Sequence, residues 1–191
     1  LDEFPVINVN KQGELTTYNK VELENALNKT IFSASKSSEN LSVNVVRFAK
    51  EFIASTDNYR LIINNIKGDS EFSLPLNTSL LLQKILKNSD AEIVEIYLNK
   101  NEVEIYIGDV IIKSRTVDLA FPDVKYIIES WQFQYEITIK QSSKELAEIM
   151  KKLYTISKDN SDGKNSFIFD FIKKELRAVG TDNKINIPIE F

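Results

Sequence analysis

The chain has 191 residues, room for one large domain or two small ones, with 42% hydrophobic residues, 27% charged residues and a formal net charge of −4. It contains no cysteine and no histidine. That excludes disulfides, thiolate nucleophiles, zinc–thiolate and iron–sulfur sites, and removes the commonest general base and transition-metal ligand. No apolar run approaches the roughly 18 residues of a membrane-spanning helix, and no signal pattern opens the sequence. The expectation is a cytoplasmic protein with no membrane partner, no metal and no cofactor.

In chain order, the elements come round three times. A strand at Leu15–Tyr18 leads to a helix over 19–30, where Asn19 begins an Asn-x-x-Glu cap and Leu23, Leu27 and Ile31 recur at helical spacing. Strand-like runs follow at Leu41–Phe48, Phe52–Ser55 and Arg60–Ile66. The second round has a strand at Glu71–Leu76, and Asn77 caps a helix over 78–88 with Leu81, Leu82, Ile85 and Leu86 on one face. Strands at Ala91–Leu98, Glu102–Ile107 and Val110–Val117 complete it. The third opens with a strand at Tyr135–Lys140. The Ser-x-x-Glu box of Ser142 and Glu145 then starts a helix over 142–153 carrying Leu146, Ile149, Met150 and Leu153. Strands at Ser166–Ile172, Leu176–Val179 and Lys184–Ile189 close the third round. Period-two alternation is clear in Val103–Ile107 and in Phe167, Phe169 and Phe171, and Gly108-Asp109 and Lys173-Lys174-Glu175 read as hairpin turns. Thr56-Asp57-Asn58 in the first copy returns verbatim as Thr181-Asp182-Asn183 in the third.

The unit is therefore β-α-β-β-β and the class α+β. A single unit, taken as one helix on its own four-stranded sheet, cannot cover its apolar faces, whereas two units side by side share a helical layer and extend the sheet. The expected organisation is a linker (1–8), a two-repeat domain (9–128), a second linker (129–134) and a half-domain (135–191). A solitary half-domain of this size is marginal and calls for further chain or a second subunit.

Three stretches sit in matching order on this repeat frame: Asp2-Glu3-Phe4-Pro5; Ser55-Thr56-Asp57-Asn58-Tyr59-Arg60-Leu61; and Ser114-Arg115-Thr116-Val117-Asp118 followed by Phe121-Pro122-Asp123. Together they resemble the bacterial DNA polymerase III beta subunit, the DNA sliding clamp, over its middle domain plus the first half of its C-terminal domain. Asn58-Tyr59 stands where that family usually has Gly-His, Leu119-Ala120 replaces a Gly-x pair, and Val124 replaces a Tyr. The resemblance implies a DNA-clamp fold, with helices on one face of antiparallel sheets, and a non-enzymatic processivity factor. In the full-length protein a head-to-tail homodimer would form a ring around duplex DNA, without reading its sequence, and would dock the DNA polymerase III catalytic subunit and the clamp loader.

Two sets of residues follow from it. The helices carry seven Lys against four Glu, and Lys20, Lys29, Lys84, Lys87, Lys144, Lys151 and Lys152 would face DNA; ordinary solvated helices are also rich in Lys and Glu. A peptide-binding groove would use Thr56, Asn58, Tyr59, Arg60 and Leu61, with Pro122, Tyr126, Ile127 and Val43, an apolar pocket taking one anchor while Arg60 fixes polar atoms. Leu61, Val43 and Ile127 read equally well as core. The alternative function is a clamp-like peptide-docking module that never encloses DNA.

Motifs for catalysis do not close. Ser33-Ala34-Ser35-Lys36 matches Ser-x-x-Lys but lacks the accompanying Lys-Thr-Gly. Asp159-Asn160-Ser161-Asp162-Gly163 resembles a calcium loop, yet its frame puts Phe169 where a bidentate Glu belongs. Trp131 reads as a packing residue between repeats. A carboxylate-dependent hydrolase on an unrelated α+β fold is the remaining reading.

Overall fold

The computed structural model describes residues 8–37, 39–130, 138–157, 167–178 and 186–188. The chain forms two compact units, Leu1–Ile127 and Ile128–Phe191. The first contains β1 (Glu14–Asn19), α1 (Lys20–Thr30) with a 3-10 turn at Ile31–Ser33, β2 (Val45–Phe48), β3 (Phe52–Thr56) and β4 (Leu61–Asn65). The order then repeats as β5 (Phe72–Pro75), α2 (Leu76–Lys87), β6 (Ile93–Asn99), β7 (Glu102–Ile107) and β8 (Val110–Arg115). A short helix that the sequence reading did not anticipate, α3 (Val124–Ser130), follows. The second unit holds α4 (Ser143–Ser157), β9 (Phe167–Asp170), β10 (Glu175–Ala178) and β11 (Asn186–Pro188). Phe4-Pro5, Trp131, the Asp159–Gly163 stretch and the second Thr-Asp-Asn triplet lie outside the described residues. So do 135–137 of the expected strand Tyr135–Lys140, whose described remainder, 138–140, is not strand.

The expectation that each repeat keeps its own four-stranded sheet is wrong. The sheets run β4-β3-β2-β5 and β1-β6-β7-β8, so the two repeats exchange their first strands. β1 lies antiparallel to β6 with Glu14 opposite Leu98 and Asn19 opposite Ile93, while β5 lies antiparallel to β2 with Phe72 opposite Phe48. The exchange is reciprocal down to single bonds. The amide of Lys20, first residue of α1, donates to Glu92 O at 2.9 Å, just ahead of β6; that of Leu76, first of α2, donates to Asn44 O at 3.0 Å, just ahead of β2. The physical reason is burial on both sides: β2 and β6 are central strands whose Val45, Val46, Phe48, Val94 and Ile96 are fully buried, and only a neighbour on each edge satisfies their backbone.

The two sheets meet where Val117 N donates to Ser73 O at 2.9 Å, and again where the Thr16 hydroxyl pairs with Ser70, 2.6 Å away in the loop after β4. α1 and α2 pack on each other and on the sheets. One core takes Leu23 and Leu27 from α1, Leu82 and Leu86 from α2, and Phe48, Leu74, Ile96 and Ile105 from the strands. Phe48 stacks on Phe72 with ring centroids 4.6 Å apart.

Helix starts follow local chemistry. Asn19 Oδ1 accepts from the amides of Val21 and Glu22, as its position before an apolar periodic run predicts. Ser142 and Glu145 form the full reciprocal box: Glu145 N donates to Ser142 Oγ, and Ser142 N and Oγ donate to Glu145 Oε2. α2 departs from expectation. It begins at Leu76, with Pro75 rather than Asn77 at the cap, and Asn77 sits inside the first turn. Proline ends β5 and presets the backbone for the helix, and the Leu76 amide is already committed to Asn44.

The segment before β1 is strapped to the β1-β6-β7-β8 sheet by one carboxylate. Glu104, on β7 and 8% exposed, accepts at Oε2 from Asn10 N (3.0 Å), Lys11 N (3.1 Å) and Tyr106 Oη (2.9 Å), and at Oε1 from Lys113 Nζ (3.1 Å). Lys113 also donates to Asn8 O at 2.9 Å, and Lys11 reaches Glu95 at 2.7 Å with its ammonium over the rings of Tyr97 and Tyr106. Burial pushes the Glu104 carboxyl up, but the donors around it outweigh burial and hold it below the usual carboxylate range. Gly13 then turns the chain into β1 at φ +116°, where a Cβ would lie 2.0 Å from Leu98 O.

In the second unit β9, β10 and β11 form a three-stranded antiparallel sheet in the order β11-β10-β9, the order of β4-β3-β2 and of β8-β7-β6. Its described core is small: Leu153 and Leu176 are fully buried, with Leu146, Ile149, Met150, Phe167 and Phe169 partly buried around them.

Candidate functional site

The hairpin joining β3 to β4 is organised by a residue that the sequence reading quoted but assigned no role, Asp57. Its Oδ1 accepts from Tyr59 N at 3.1 Å and Arg60 N at 2.8 Å, and its Oδ2 from Arg60 Nε at 3.0 Å and a terminal guanidinium nitrogen at 2.7 Å. The hydrogen bond from Arg60 holds the Asp57 carboxyl below the usual range against the opposing effect of burial. Thr56 Oγ1 accepts from Asn58 N at 3.1 Å, and Asn58 takes the left-handed conformation at φ +72°, which asparagine adopts more readily than most residues. The result is a tight tip from which Tyr59 projects, 95% exposed. Arg60 stays accessible with its guanidinium already oriented. An Asp two and three residues ahead of the amides it accepts is an Asx turn, a signal legible in Thr-Asp-Asn-Tyr-Arg.

The site residues named from sequence divide into three groups. Thr56, Asn58, Tyr59, Arg60 and Leu61 come together on this hairpin, with Leu61 half-buried opposite Thr56. Pro122, Tyr126 and Ile127 belong to a separate local structure, α3 and the turn before it, where Asp123 Oδ1 accepts from Tyr126 N at 3.0 Å and Asp123 O from Ile127 N at 3.0 Å. Tyr126 is 68% exposed. Val43 is buried framework, its carbonyl accepting from Ser35 N, and Thr56 is the one buried member of the hairpin group.

The seven helix lysines are not equivalent. Lys29, Lys84, Lys87, Lys144, Lys151 and Lys152 are exposed. Lys20 is not a free cation: its ammonium is paired with Glu24 at 2.9 Å and its side chain is only 13% exposed. Lys29, Lys84 and Lys87 lie in the last turns of α1 and α2, where a positive charge also complements the helix dipole. Gln83 Nε2 donates to Asn28 Oδ1 at 2.7 Å, so the outer surfaces of α1 and α2 form one continuous face. Beside this bond a cavity of about 590 Å³ opens between the helices, lined by Phe32, Leu80 and several amide side chains.

The Ser-x-x-Lys motif is structural. Ser33 is fully buried and its hydroxyl bonds to Ser55 and to Thr30 O, with no base at hand. Among the described residues no three acidic side chains converge in a way that could hold a metal ion, and no helix is long and apolar enough to cross a membrane.

Comparison with known proteins places this architecture. Residues 17–123 match the profile of the DNA polymerase III beta subunit, central domain. No curated protein sequence matches the chain. Among solved structures, the beta subunit from Thermotoga maritima shares 24% identity at a TM-score of 0.72, over 99% of this chain and 53% of that one. The sliding clamp from Bacillus subtilis shares 18% at 0.75, over 99% and 52%. The clamp from Bartonella birtlesii, solved bound to griselimycin, shares 18% at 0.77, over 99% and 55%. The chain thus spans about half the length of the clamps whose fold it shares. On a family profile covering more than half of its residues, this chain belongs to the DNA polymerase III beta subunit family, the non-catalytic sliding clamps of DNA replication.

Proposed function

We propose that the chain serves as the middle domain and the first half of the last domain of a cytoplasmic DNA sliding clamp, with 9–128 and 135–191 as the two domain segments. The observation that carries this is the family match over 17–123, which includes both helices of the exchanged repeats and the Asp57 hairpin. In this reading α1, α2 and α4 line a ring that encloses duplex DNA as part of a full-length homodimer. The exposed lysines Lys29, Lys84, Lys87, Lys144, Lys151 and Lys152 supply a mild positive potential. Mildness suits sliding, because each tight phosphate contact adds to a salt-sensitive grip that opposes movement.

The hairpin is the docking surface for peptide tails of the polymerase and the clamp loader, with Pro122, Tyr126 and Ile127 as further residues that take part. The Tyr59 ring offers an apolar platform, Leu61 a pocket wall, and Arg60, held by Asp57, a donor for backbone carbonyls of an extended peptide. α1 holds two Lys and two Glu and so carries no net charge, with Lys20 paired to Glu24, which favours the second reading: a clamp-like module that docks peptides and does not enclose DNA.

Fluorescence anisotropy with a labelled clamp-binding peptide tests the docking surface. Saturable binding that falls at least tenfold in Arg60→Ala/Leu61→Ala supports it, and equal binding by the variant sinks it. Retention on nicked circular but not linear DNA, after loading with the rest of the clamp present, separates the ring from the peptide module.

A further inference from the structure

The face shared by α1 and α2 offers more than exposed lysines. The cavity of about 590 Å³ beside the Asn28–Gln83 bond falls in the range of roughly 300–1,000 Å³ typical of small-ligand sites. Its lining includes Phe32 and Leu80, 57% and 37% exposed, so an aromatic and an aliphatic surface both stand open to solvent. Four carboxamides share that lining: Asn28, Asn44, Asn77 and Gln83. Much of their hydrogen-bonding capacity is unused. Gln83 gives one N–H to Asn28 Oδ1, which leaves the Gln83 carbonyl and the Asn28 NH2 group for a ligand. Asn44 is anchored by an N–H donated to Ser35 O at 2.6 Å and keeps its own side-chain oxygen. Asn77, exposed in the first turn of α2, makes no side-chain hydrogen bond among the described residues. Lys36 is the one charged side chain in the described lining, which holds no carboxylate. A second cavity of this unit, about 600 Å³ beside α1 and β4, is the opposite case, lined by Glu22 and Glu51 with no aromatic ring.

From these observations we infer that the cavity between α1 and α2 takes a single nucleobase with its phosphate, supplied by an unpaired stretch of DNA. The Phe32 ring stacks on the base, the carboxamides meet its edge, and Lys36 answers the phosphate. Carboxamides set a donor beside an acceptor, as base edges do, so they suit this ligand without choosing one base strictly. An aromatic ring among cations is the combination that holds single strands with little sequence readout, and Lys29 and Lys84, each next in sequence to a lining carboxamide, are exposed on the same helices. An apolar peptide anchor fits less well, because it would cover the four carboxamides without pairing them. The inference rests on the assignment of α1 and α2 to DNA and adds a second mode to it. Bases paired within a duplex cannot enter the cavity, so this site acts only where the strand is single.

The test uses the 191-residue chain and a short fluorescein-labelled deoxyadenosine oligonucleotide, read by anisotropy at low salt. An abasic strand of the same length carries the same phosphates without a base. The base-bearing strand is expected to bind at least about fivefold tighter than the abasic one. Phe32→Ala, at an exposed position, should remove about tenfold in affinity for the base-bearing strand and leave the abasic strand unchanged, with helical circular dichroism retained. Lys36→Ala should weaken both strands alike and lower the salt dependence by about one counterion. Equal affinity for the two strands, or full binding by Phe32→Ala, overturns the inference. So does dAMP binding tighter than the strand, which would make a free nucleotide the ligand, or an apolar peptide whose binding Phe32→Ala abolishes while no strand binds. Phe32→Ala introduced into the full clamp should still be retained on circular DNA, so loss of the base site and loss of the ring are read separately.

Discussion

Replacing Glu104 tests whether one carboxylate fixes the path of the chain into the first unit. The side chain takes four hydrogen bonds, two from the amides of Asn10 and Lys11, one from Tyr106 and one from Lys113, and is almost fully enclosed. Hydrogen bonds to a charged group contribute about 1.5–3 kcal/mol each, but they are not additive here, because the two amides recover water once the segment lifts away. Glu104→Ala should therefore cost about 2–3 kcal/mol in all, a drop of roughly 5–10 °C in Tm for a chain of this length. Glu104→Gln keeps the shape and one acceptor and should cost about half as much. Hydrogen exchange reads the mechanism directly: the Asn10 and Lys11 amides should lose their protection in both variants, while amides of β6 and β7 keep theirs. Because the folded carboxyl lies below its unfolded value, its contribution is complete above the unfolded value, about pH 4.3, and disappears as the pH falls through the folded one. A Tm within 1 °C of the parent, or unchanged exchange at Asn10 and Lys11, would refute the strap.

Gly13→Ala places a Cβ against Leu98 O at a positive φ and should destabilise the first unit by more than about 1 kcal/mol in urea denaturation, far beyond an ordinary surface Gly→Ala change. Asn58→Gly should leave stability within about 0.5 kcal/mol, whereas Asn58→Val at the same left-handed position should cost at least about 1 kcal/mol, and equal stability of the two would show that the turn relaxes. Ser142→Ala removes both bonds of the capping hydroxyl while leaving the backbone bond from residue 142 to Glu145, and should cost about 1 kcal/mol, seen as earlier melting of the second unit's helical signal.

What was legible in the sequence is what neighbouring residues encode. The caps at Asn19 and Ser142, the strand alternation in β7 and the threefold order of elements all follow from side chains within a few positions of each other. Pairing partners do not. β1 carries the pattern of a strand, but nothing in Leu15–Tyr18 says that its neighbour is β6 rather than β2, since both carry apolar, β-branched runs that offer an edge to pair with. α3 carries a weaker signal, since Pro122 and Asp123 also close the Phe-Pro-Asp stretch, although Asp123 ahead of Val124 and Ile127 is a cap signal. A count of charges does not separate Lys20 from the exposed lysines, because it ignores the acid one turn on, and Glu24 is that acid. On the hairpin, the exposed residues came from the resemblance, while the physical organiser, Asp57, needed only its own spacing to Tyr59 and Arg60.

The traded strands also dictate an order of events in time. As the chain emerges during synthesis, β1 and α1 appear first, yet the backbone that β1 must pair with comes much later; Lys11, for one, meets Glu95 84 residues on. Until β6 exists, β1 has no strand to pair with, and until β5 follows, the central strand β2 has one bare edge. Closing so long a loop costs entropy before any contact repays it, which slows folding of a topology dominated by distant pairs. The same interlock has a mechanical corollary. A protease cut in the loop between β4 and β5 would sever the repeats along the chain and still not release them, because each would hold the other's strand within its sheet.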